Sequence, residues 1–225
     1  MSASPSARYS PPPDAGLDVL YQDAHLLMID KPAGLLSVPG RGPEKNDSLI
    51  VRAQRRFPEA LVVHRLDMET SGILLLARGK AAQSRLSRLF QTHRVDKRYL
   101  AVVDGRPAAC GEIDLPLITD WPNRPRQKVD FDIGKASLTR YRVLEPEGDS
   151  AIDGASRVAL FPKTGRSHQL RVHMMSLGHA ILGDRLYAAQ TVRDRAPRLL
   201  LHAEFLGFPH PFTGHPVAVE CPAPF

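Results

Sequence analysis

The sequence is poor in cysteine and contains no long apolar run. Only Cys110 and Cys221 occur among 225 residues, which excludes a disulfide framework and favours a reducing compartment. No apolar run approaches the roughly 18 residues that a membrane-spanning helix needs. The first residues also lack the charged start and the apolar segment of a secretory signal. We therefore expect a cytoplasmic protein without a membrane segment.

Several well-known catalytic motifs are also missing. A zinc site needs about four nitrogen or sulfur ligands, but the two cysteines lie far apart, and His168 and His173 are five residues apart, so they do not share a helix face. The sequence has no G-x-S-x-G and no P-loop, and its HRLD stretch carries an inserted leucine compared with the kinase H-R-D. We therefore expect no metal and no cofactor.

Positive charge is concentrated in one stretch. The net charge is +6, with 30 Lys and Arg against 24 Asp and Glu. Residues 78–98 hold seven of the basic residues and one Asp, so the remaining 23 basic and 23 acidic residues cancel. Such a stretch can be a solvated helix face. Because it carries the whole net positive charge of the chain, however, a phosphate-binding surface is favoured. The candidate contacts are Arg85, Arg88, Arg94, Lys97 and Arg98.

The domain organisation is simple. Residues 1–16 contain four prolines and few large apolar side chains, which predicts a disordered tail. The remaining residues, 17–225, show no repeat and no second linker, and their number suits one catalytic domain.

The hydrophobic pattern predicts an α+β fold with a mixed, largely antiparallel sheet flanked by helices and loops, because strands outnumber helices and do not alternate with them. One helix in the basic stretch has an apolar face of Ala82, Leu86, Leu89 and Phe90. A second helix covers 167–178, with Leu170, Met174 and Leu177 on one face. Strands are predicted at 26–30, 72–78, 99–103, 139–145 paired with 156–161 across the turn at 147–154, and in a C-terminal pair at 198–208 and 215–220.

Three stretches place charged groups beside apolar elements: HRLDMETSG (64–72), KRYLA (97–101) and KTGRSHQLRVH (163–173). An aspartate beside an arginine stays ionised even when it is partly buried, so Asp67 could act as a nucleophile or as a base. The alternative is a structural ion pair or a turn cap, which a single aspartate often forms.

These stretches resemble the signatures of the RluA-type pseudouridine synthases. HRLDMETSG is similar to their H-R-L-D-x-x-T-S-G, KRYLA to their K-x-Y-x-A, and GRSHQLR to their G-R-x-H-Q-x-R. The segments GHAILGD and RLLLHA follow in the same order, although Ala180 stands where the family usually has proline. DWPNRPRQKV (120–129) resembles the RluA branch itself, as does the lack of a preceding S4 RNA-binding module.

The resemblance implies a reaction and roles for single residues. The family cuts the N1–C1′ bond of a uridine, turns the uracil and rejoins it through C5. Its essential aspartate corresponds to Asp67, which would attack C1′ or remove a proton from C2′. Its tyrosine corresponds to Tyr99, which would stack on the uracil and help to move the C5 proton, and its aspartate-binding arginine corresponds to Arg166. Leu201 corresponds to an apolar position against the base, although it could equally be core.

The same resemblance implies how RNA is handled. A stacked base must leave its helix before its glycosidic bond can react, and Arg65 corresponds to the arginine that fills the vacated space. His64 is expected to support the loop. The implied substrates are stem-loops, most specifically uridine 32 of the tRNA anticodon loop and uridine 746 of 23S rRNA, and the enzyme is expected to be a monomer. The alternatives are another RluA-type target, a non-catalytic RNA-binding assembly factor, or an RNA nuclease.

Overall fold

The computed structural model describes residues 9–144 and 153–225, and strands dominate this part of the chain. The strands are β1 (Asp18–Gln22), β2 (Leu26–Lys31), β3 (Ala60–Val62), β4 (Ser71–Arg78), β5 (Asp96–Asp104), β6 (Cys110–Asp114), β7 (Leu117–Thr119), β8 (Gln127–Val129), β9 (Leu138–Val143), β10 (Ala155–Pro162), β11 (Leu201–Pro209) and β12 (Pro216–Glu220). The helices are α1 (Leu49–Arg56), α2 (Lys80–Gln91), α3 (Gln169–Ser176) and α4 (Gln190–Arg193).

Ten of these strands form one sheet in the order β1-β2-β4-β11-β5-β10-β9-β6, with β3 beside β4 and β12 beside β11. The pairing of β4 with β11 is parallel, whereas the other pairings of these strands are antiparallel. β7 and β8 form a separate two-stranded ribbon. The predicted α+β class with a mixed, largely antiparallel sheet is confirmed.

Most of the predicted elements are present. The antiparallel pairing of β9 with β10 and the C-terminal pair of β11 with β12 are confirmed, while most of the predicted turn at 147–154 lies outside the described residues. In α2, Ala82, Leu86 and Leu89 are buried as predicted. In α3, however, Leu177 is exposed. The prediction for Leu177 is wrong because the helix ends at Ser176, so Leu177 no longer follows the buried helical face.

The segment 9–16 has no regular secondary structure, yet it packs on the body of the protein. The Tyr9 hydroxyl donates to a backbone carbonyl of the loop before α1 at 3.0 Å. Arg52 of α1 donates to the Pro12 carbonyl at 2.7 Å. Prolines cannot donate backbone hydrogen bonds, but their carbonyls accept them and their fixed φ lowers the entropy cost of ordering. The prediction of a disordered tail is therefore wrong for this segment, and residues 1–8 lie outside the described residues.

The sheet positions the loop between β3 and β4, which contains the HRLD stretch. At the start of β4, Gly72 lies against β11 so closely that a Cβ atom would come within 2.3 Å of the Ala203 carbonyl oxygen. Its φ of +104° is also one that favours glycine. The Ser-Gly that ends the motif therefore lets the two parallel strands meet directly beside the loop. No helix in the described chain has the length and apolarity to cross a membrane.

Candidate active site

Two buried polar side chains fix the loop that carries Asp67. The Lys31 ammonium donates to three backbone carbonyls at 2.8–3.0 Å, one of which belongs to Met68. The Ser37 hydroxyl donates to the Leu66 carbonyl at 2.7 Å and accepts the Leu66 N–H at 3.1 Å. Burial lowers the pKa of Lys31 to about 7, and the charges of Asp67 and Glu69 oppose that shift. The residues on both sides of Asp67 are therefore held in place.

Arg171 of α3 is the arginine that pairs with Asp67. Its Nη1 lies 3.5 Å from Asp67 Oδ2, and its guanidinium forms a two-point pair with Asp184 at 2.7 and 2.8 Å. Arg171 is 3% exposed. Arg166 is exposed instead, and its Nε donates to the Ala136 carbonyl at 3.3 Å. The prediction that Arg166 pairs with Asp67 is therefore wrong, because Arg166 lies in the loop before α3.

His168 and Tyr187 complete the surroundings of Asp67, and the sequence reasoning assigned a role to neither. His168 Nε2 lies 3.9 Å from Asp67 Oδ1, and His168 Nδ1 is 2.6 Å from the Tyr187 hydroxyl. Burial lowers the pKa of His168, and the charge of Asp67 opposes that shift. Its φ of +54° is unusual for a residue other than glycine. For Arg171, the signal that could have marked it was its place inside the predicted helix, three residues before the buried Met174.

Tyr99 lies in β5 directly opposite Ala203 of β11. Burial, and after it the negative charge of Asp67, raises the pKa of Tyr99. Among the described residues, its hydroxyl has no hydrogen-bond partner. Leu201 is 3% exposed and belongs to the apolar cluster against which Tyr99 packs. The structure therefore brings Asp67 and Tyr99 into one electrostatic environment.

His64 occupies a structural position. Its Nε2 accepts the Leu75 N–H of β4 at 3.0 Å, and its ring stacks on Phe90 of α2 with centroids 4.7 Å apart. Burial lowers the pKa of His64 to about 3, and Lys97 contributes in the same direction. A neutral ring that accepts a backbone hydrogen bond links β4 to the basic helix.

Four of the six cations predicted to bind RNA are exposed. Arg65, Arg88 and Arg94 make no side-chain hydrogen bond or ion pair within the described ranges. The Arg85 Nη1 donates to a backbone carbonyl at 3.0 Å, and its guanidinium lies 4.3 Å from the centre of the Phe212 ring. Their charges remain available to an anion.

Lys97 and Arg98 differ from these four. Arg98 lies 2.7 Å from Glu204 and 3.1 Å from Glu220, so its charge is already neutralised. Lys97 is largely buried, and burial lowers its pKa to about 8. The ion pairs of Arg98 argue against its predicted contact with RNA. The burial of Lys97 makes its predicted contact with RNA less favourable.

One group of possible metal ligands occurs in the described part of the chain. Asp30, His202 and Cys221 each offer a ligand atom within 4.8 Å of the others. Both ring nitrogens of His202 already bond, to the Ser71 hydroxyl and to the Cys221 carbonyl. Burial also raises the pKa of the Cys221 thiol to about 12. This chemistry suits a hydrogen-bonded network better than a metal, which needs a thiolate and a free imidazole nitrogen.

Comparisons with known proteins relate this geometry to enzymes of one family. The model of the RNA pseudouridylate synthase family matches residues 25–176. The dual-specificity RNA pseudouridine synthase RluA of Escherichia coli K12 is 53% identical over 218 residues, which cover 96% of this chain and 98% of that protein. The RluA of Haemophilus influenzae is 45% identical over the same shares of the two chains.

A solved structure has the same fold. Human RNA Pseudouridylate Synthase Domain Containing 1 is 34% identical, has a TM-score of 0.79, and is matched over 96% of this chain and 87% of its own. The family match, the full-length relatives and this fold agree with one another. The chain belongs to the RNA pseudouridylate synthase family and is an RNA pseudouridine synthase, an isomerase that acts on RNA.

Proposed function

We propose that this enzyme isomerises uridines in two kinds of RNA, the tRNA anticodon stem-loop and a 23S rRNA stem-loop. The "dual-specificity" in the names of its RluA relatives supports two substrates. The cations Arg65, Arg88 and Arg94 support RNA as the ligand, since they are exposed and available to phosphates, and Arg65 lies two residues from Asp67. We also propose that the enzyme acts as a cytoplasmic monomer, which sedimentation of the pure protein would test.

We assign the reaction to Asp67, on one observation. Its carboxylate lies 3.5 Å from the buried guanidinium of Arg171 yet remains 26% exposed, so a cation faces it on one side and a ligand can reach it from the other. Such a carboxylate can attack C1′ of the ribose or remove the C2′ proton. In the reaction, the N1–C1′ bond breaks, the uracil turns and a C5–C1′ bond forms. The product is an isomer, so no co-reactant is consumed.

Tyr99 has a different role in this proposal. Burial and the charge of Asp67 raise its pKa, so its hydroxyl stays protonated near neutral pH. A protonated phenol is a poor acceptor for the C5 proton. We therefore assign its ring to stack on the uracil and its hydroxyl to orient the base through a hydrogen bond.

The test is Asp67→Asn, with Asp18→Asn on the exposed side of β1 as the matched control. Pseudouridine is mapped by carbodiimide modification and primer extension in the anticodon stem-loop and in 23S rRNA. We expect Asp67→Asn to lose more than about 100-fold in rate with unchanged melting, because an amide can neither attack nor remove a proton. Conversion of both RNAs by the control supports the two substrates. Near-normal turnover by Asp67→Asn would remove Asp67 from the mechanism, and shortened RNA on a gel would indicate a nuclease.

A further inference from the structure

The ribbon of residues 117–135, built on β7 and β8, carries an unusual amount of exposed apolar surface. Trp121, Phe131 and Ile133 are 64%, 75% and 71% exposed. Each other large apolar side chain in the described ranges is at most 39% exposed. Three large apolar side chains on one small ribbon indicate a binding surface, since scattered single residues are the usual pattern.

Hydrogen bonds within the tip of the ribbon, residues 120–126, fix the backbone that carries Trp121. The Asp120 N–H donates to the Arg126 carbonyl at 3.0 Å, and the Asn123 side-chain amide donates to the Asp120 carboxylate at 2.9 Å. The guanidinium of Arg124 lies 4.3 Å from the indole centre. One contact of Trp121 is thus a cation, and most of the ring is open.

The ribbon is bonded to the surroundings of Asp67 directly beside its tip, at Gln127, which pairs with Thr119. The Gln127 N–H donates to the Tyr187 hydroxyl at 2.8 Å, and the same hydroxyl lies 2.6 Å from His168 Nδ1. His168 in turn lies 3.9 Å from Asp67. A chain of contacts thus runs from Asp67 through His168 and Tyr187 to the strand that leaves the tip. The exposed, cation-backed indole on that tip is placed to hold RNA near the reacting uridine.

We propose that Trp121, backed by Arg124, stacks on an unpaired base of the substrate stem-loop, outside the site of chemistry. Stacking between aromatic side chains and bases is the usual way in which proteins hold single-stranded RNA, and an arginine adds attraction for the phosphates. When the target uridine leaves its stack, its neighbours in the loop lose a stacking partner. The indole would supply a new one. This inference rests on the proposed function.

The sequence provides a direct probe, because Trp121 is the single tryptophan of the chain. The unlabelled anticodon stem-loop is titrated into the wild-type enzyme while indole fluorescence and its quenching by acrylamide are followed. We expect saturable quenching by RNA and lower access for acrylamide. A stem-loop with an abasic nucleotide in place of the stacked base should restore the fluorescence; one such RNA is made for each loop position.

Variants complete the test. Trp121→Ala should weaken binding of the anticodon stem-loop by about 5- to 150-fold, which corresponds to one stacked base, and Trp121→Phe should retain most of the affinity. Leu177→Ala removes an exposed apolar side chain outside residues 117–135, so it is the matched control and should bind normally. Melting checks the fold of each variant. RNA binding by the wild type without quenching of Trp121 would overturn this inference, as would an unchanged affinity of Trp121→Ala for the stem-loop. Pseudouridine formation by the wild type would still leave the proposed function standing. A wild type that forms no pseudouridine fails the proposed function instead, in a separate assay.

Discussion

Arg171 and the arginines around α2 carry the same charge in opposite surroundings. Arg171 is buried, paired twice with Asp184 and close to Asp67. Arg88 and Arg94 are exposed and have no ion partner within the described residues. Desolvating a cation is unfavourable unless a partner offsets it, whereas an exposed cation retains its hydration until an anion displaces it. The buried arginine therefore holds a carboxylate, and the exposed arginines are available to phosphates.

The largest expected effect separates Arg171 from Arg166, which belong to the same motif. Arg171→Met should reduce turnover by more than about 100-fold, because Asp67 loses its partner. It should also destabilise the fold by on the order of 3–5 kcal/mol, since Asp184 is left as an unpaired buried charge. The exposed Arg166→Met is the matched control, and we expect near-normal rate and stability.

Single-turnover rates and chemical denaturation measure the two effects separately. A folded Arg171→Met with normal turnover would show that Asp67 does not need this partner. Loss of activity in Arg166→Met with normal melting would return the role to Arg166.

The error over Arg166 shows what the sequence could and could not predict. GRSHQLR contains two arginines five residues apart, and both fit a residue-type argument. His168, with its left-handed backbone, turns the chain into α3 between them, so Arg166 lies in the loop and Arg171 on the buried face. That turn depends on contacts with Tyr187, far along the chain, which no local pattern contains.

Other features of the fold were predictable because they depend on local pattern. The apolar period of α2 and the alternation in β9 were sufficient to place these two elements, and β10 was placed as the partner of β9 across a turn. Lys31 was visible in the sequence only as the end of a strand. Its role as the anchor of the Asp67 loop depends on carbonyls brought together by folding. The ion pairs of Arg98 with Glu204 and Glu220 are equally non-local. The sequence of residues 78–98 therefore does not distinguish Arg98 from the arginines that have no ion partner.

A second prediction concerns His64, which links the buried site to the basic helix. Its pKa is about 3 in the folded protein against about 6.5 in the unfolded chain. Between these values the unfolded state binds more protons, so stability is full above about pH 6.5 and falls as the pH decreases towards 3. Lowering the pH from 7 to 5 should cost about 2 kcal/mol through this residue.

The matched variant is His64→Gln, which keeps an acceptor for the Leu75 N–H but does not titrate. The free energy of unfolding of both proteins is measured at pH 7 and pH 5 by denaturant titration. The loss on acidification should be smaller in the variant by about 2 kcal/mol. An equal loss in both proteins would mean that His64 is not held neutral by burial.

The third prediction compares the exposed and the paired cations. If the surface makes about four phosphate contacts, the logarithm of RNA affinity should fall with the logarithm of salt at a slope of roughly −3. Arg88→Gln with Arg94→Gln should make the slope shallower by roughly 1.5 and weaken binding about tenfold at low salt.

The matched control is Arg98→Gln, because Glu204 and Glu220 already neutralise that charge. We expect it to leave the slope unchanged, as measured by filter binding over a salt series. A slope that changes with Arg98 but not with Arg88 and Arg94 would reverse the assignment of free and paired charge.

The smallest expected effect concerns Arg65, which lies next to the buried network but is itself exposed and unpaired within the described chain. Extruding a stacked base costs a few kcal/mol, least where the base is already mismatched. A side chain that fills the vacated space offsets part of that cost. Arg65→Ala should therefore slow conversion of an intact stem-loop by about fivefold more than conversion of one whose target uridine is mismatched. Rates are compared under single-turnover conditions, with Arg88→Ala as a control that removes an exposed charge but should affect both RNAs equally. Equal losses for Arg65→Ala on the two RNAs would make Arg65 a further phosphate contact, grouped with Arg88 and Arg94.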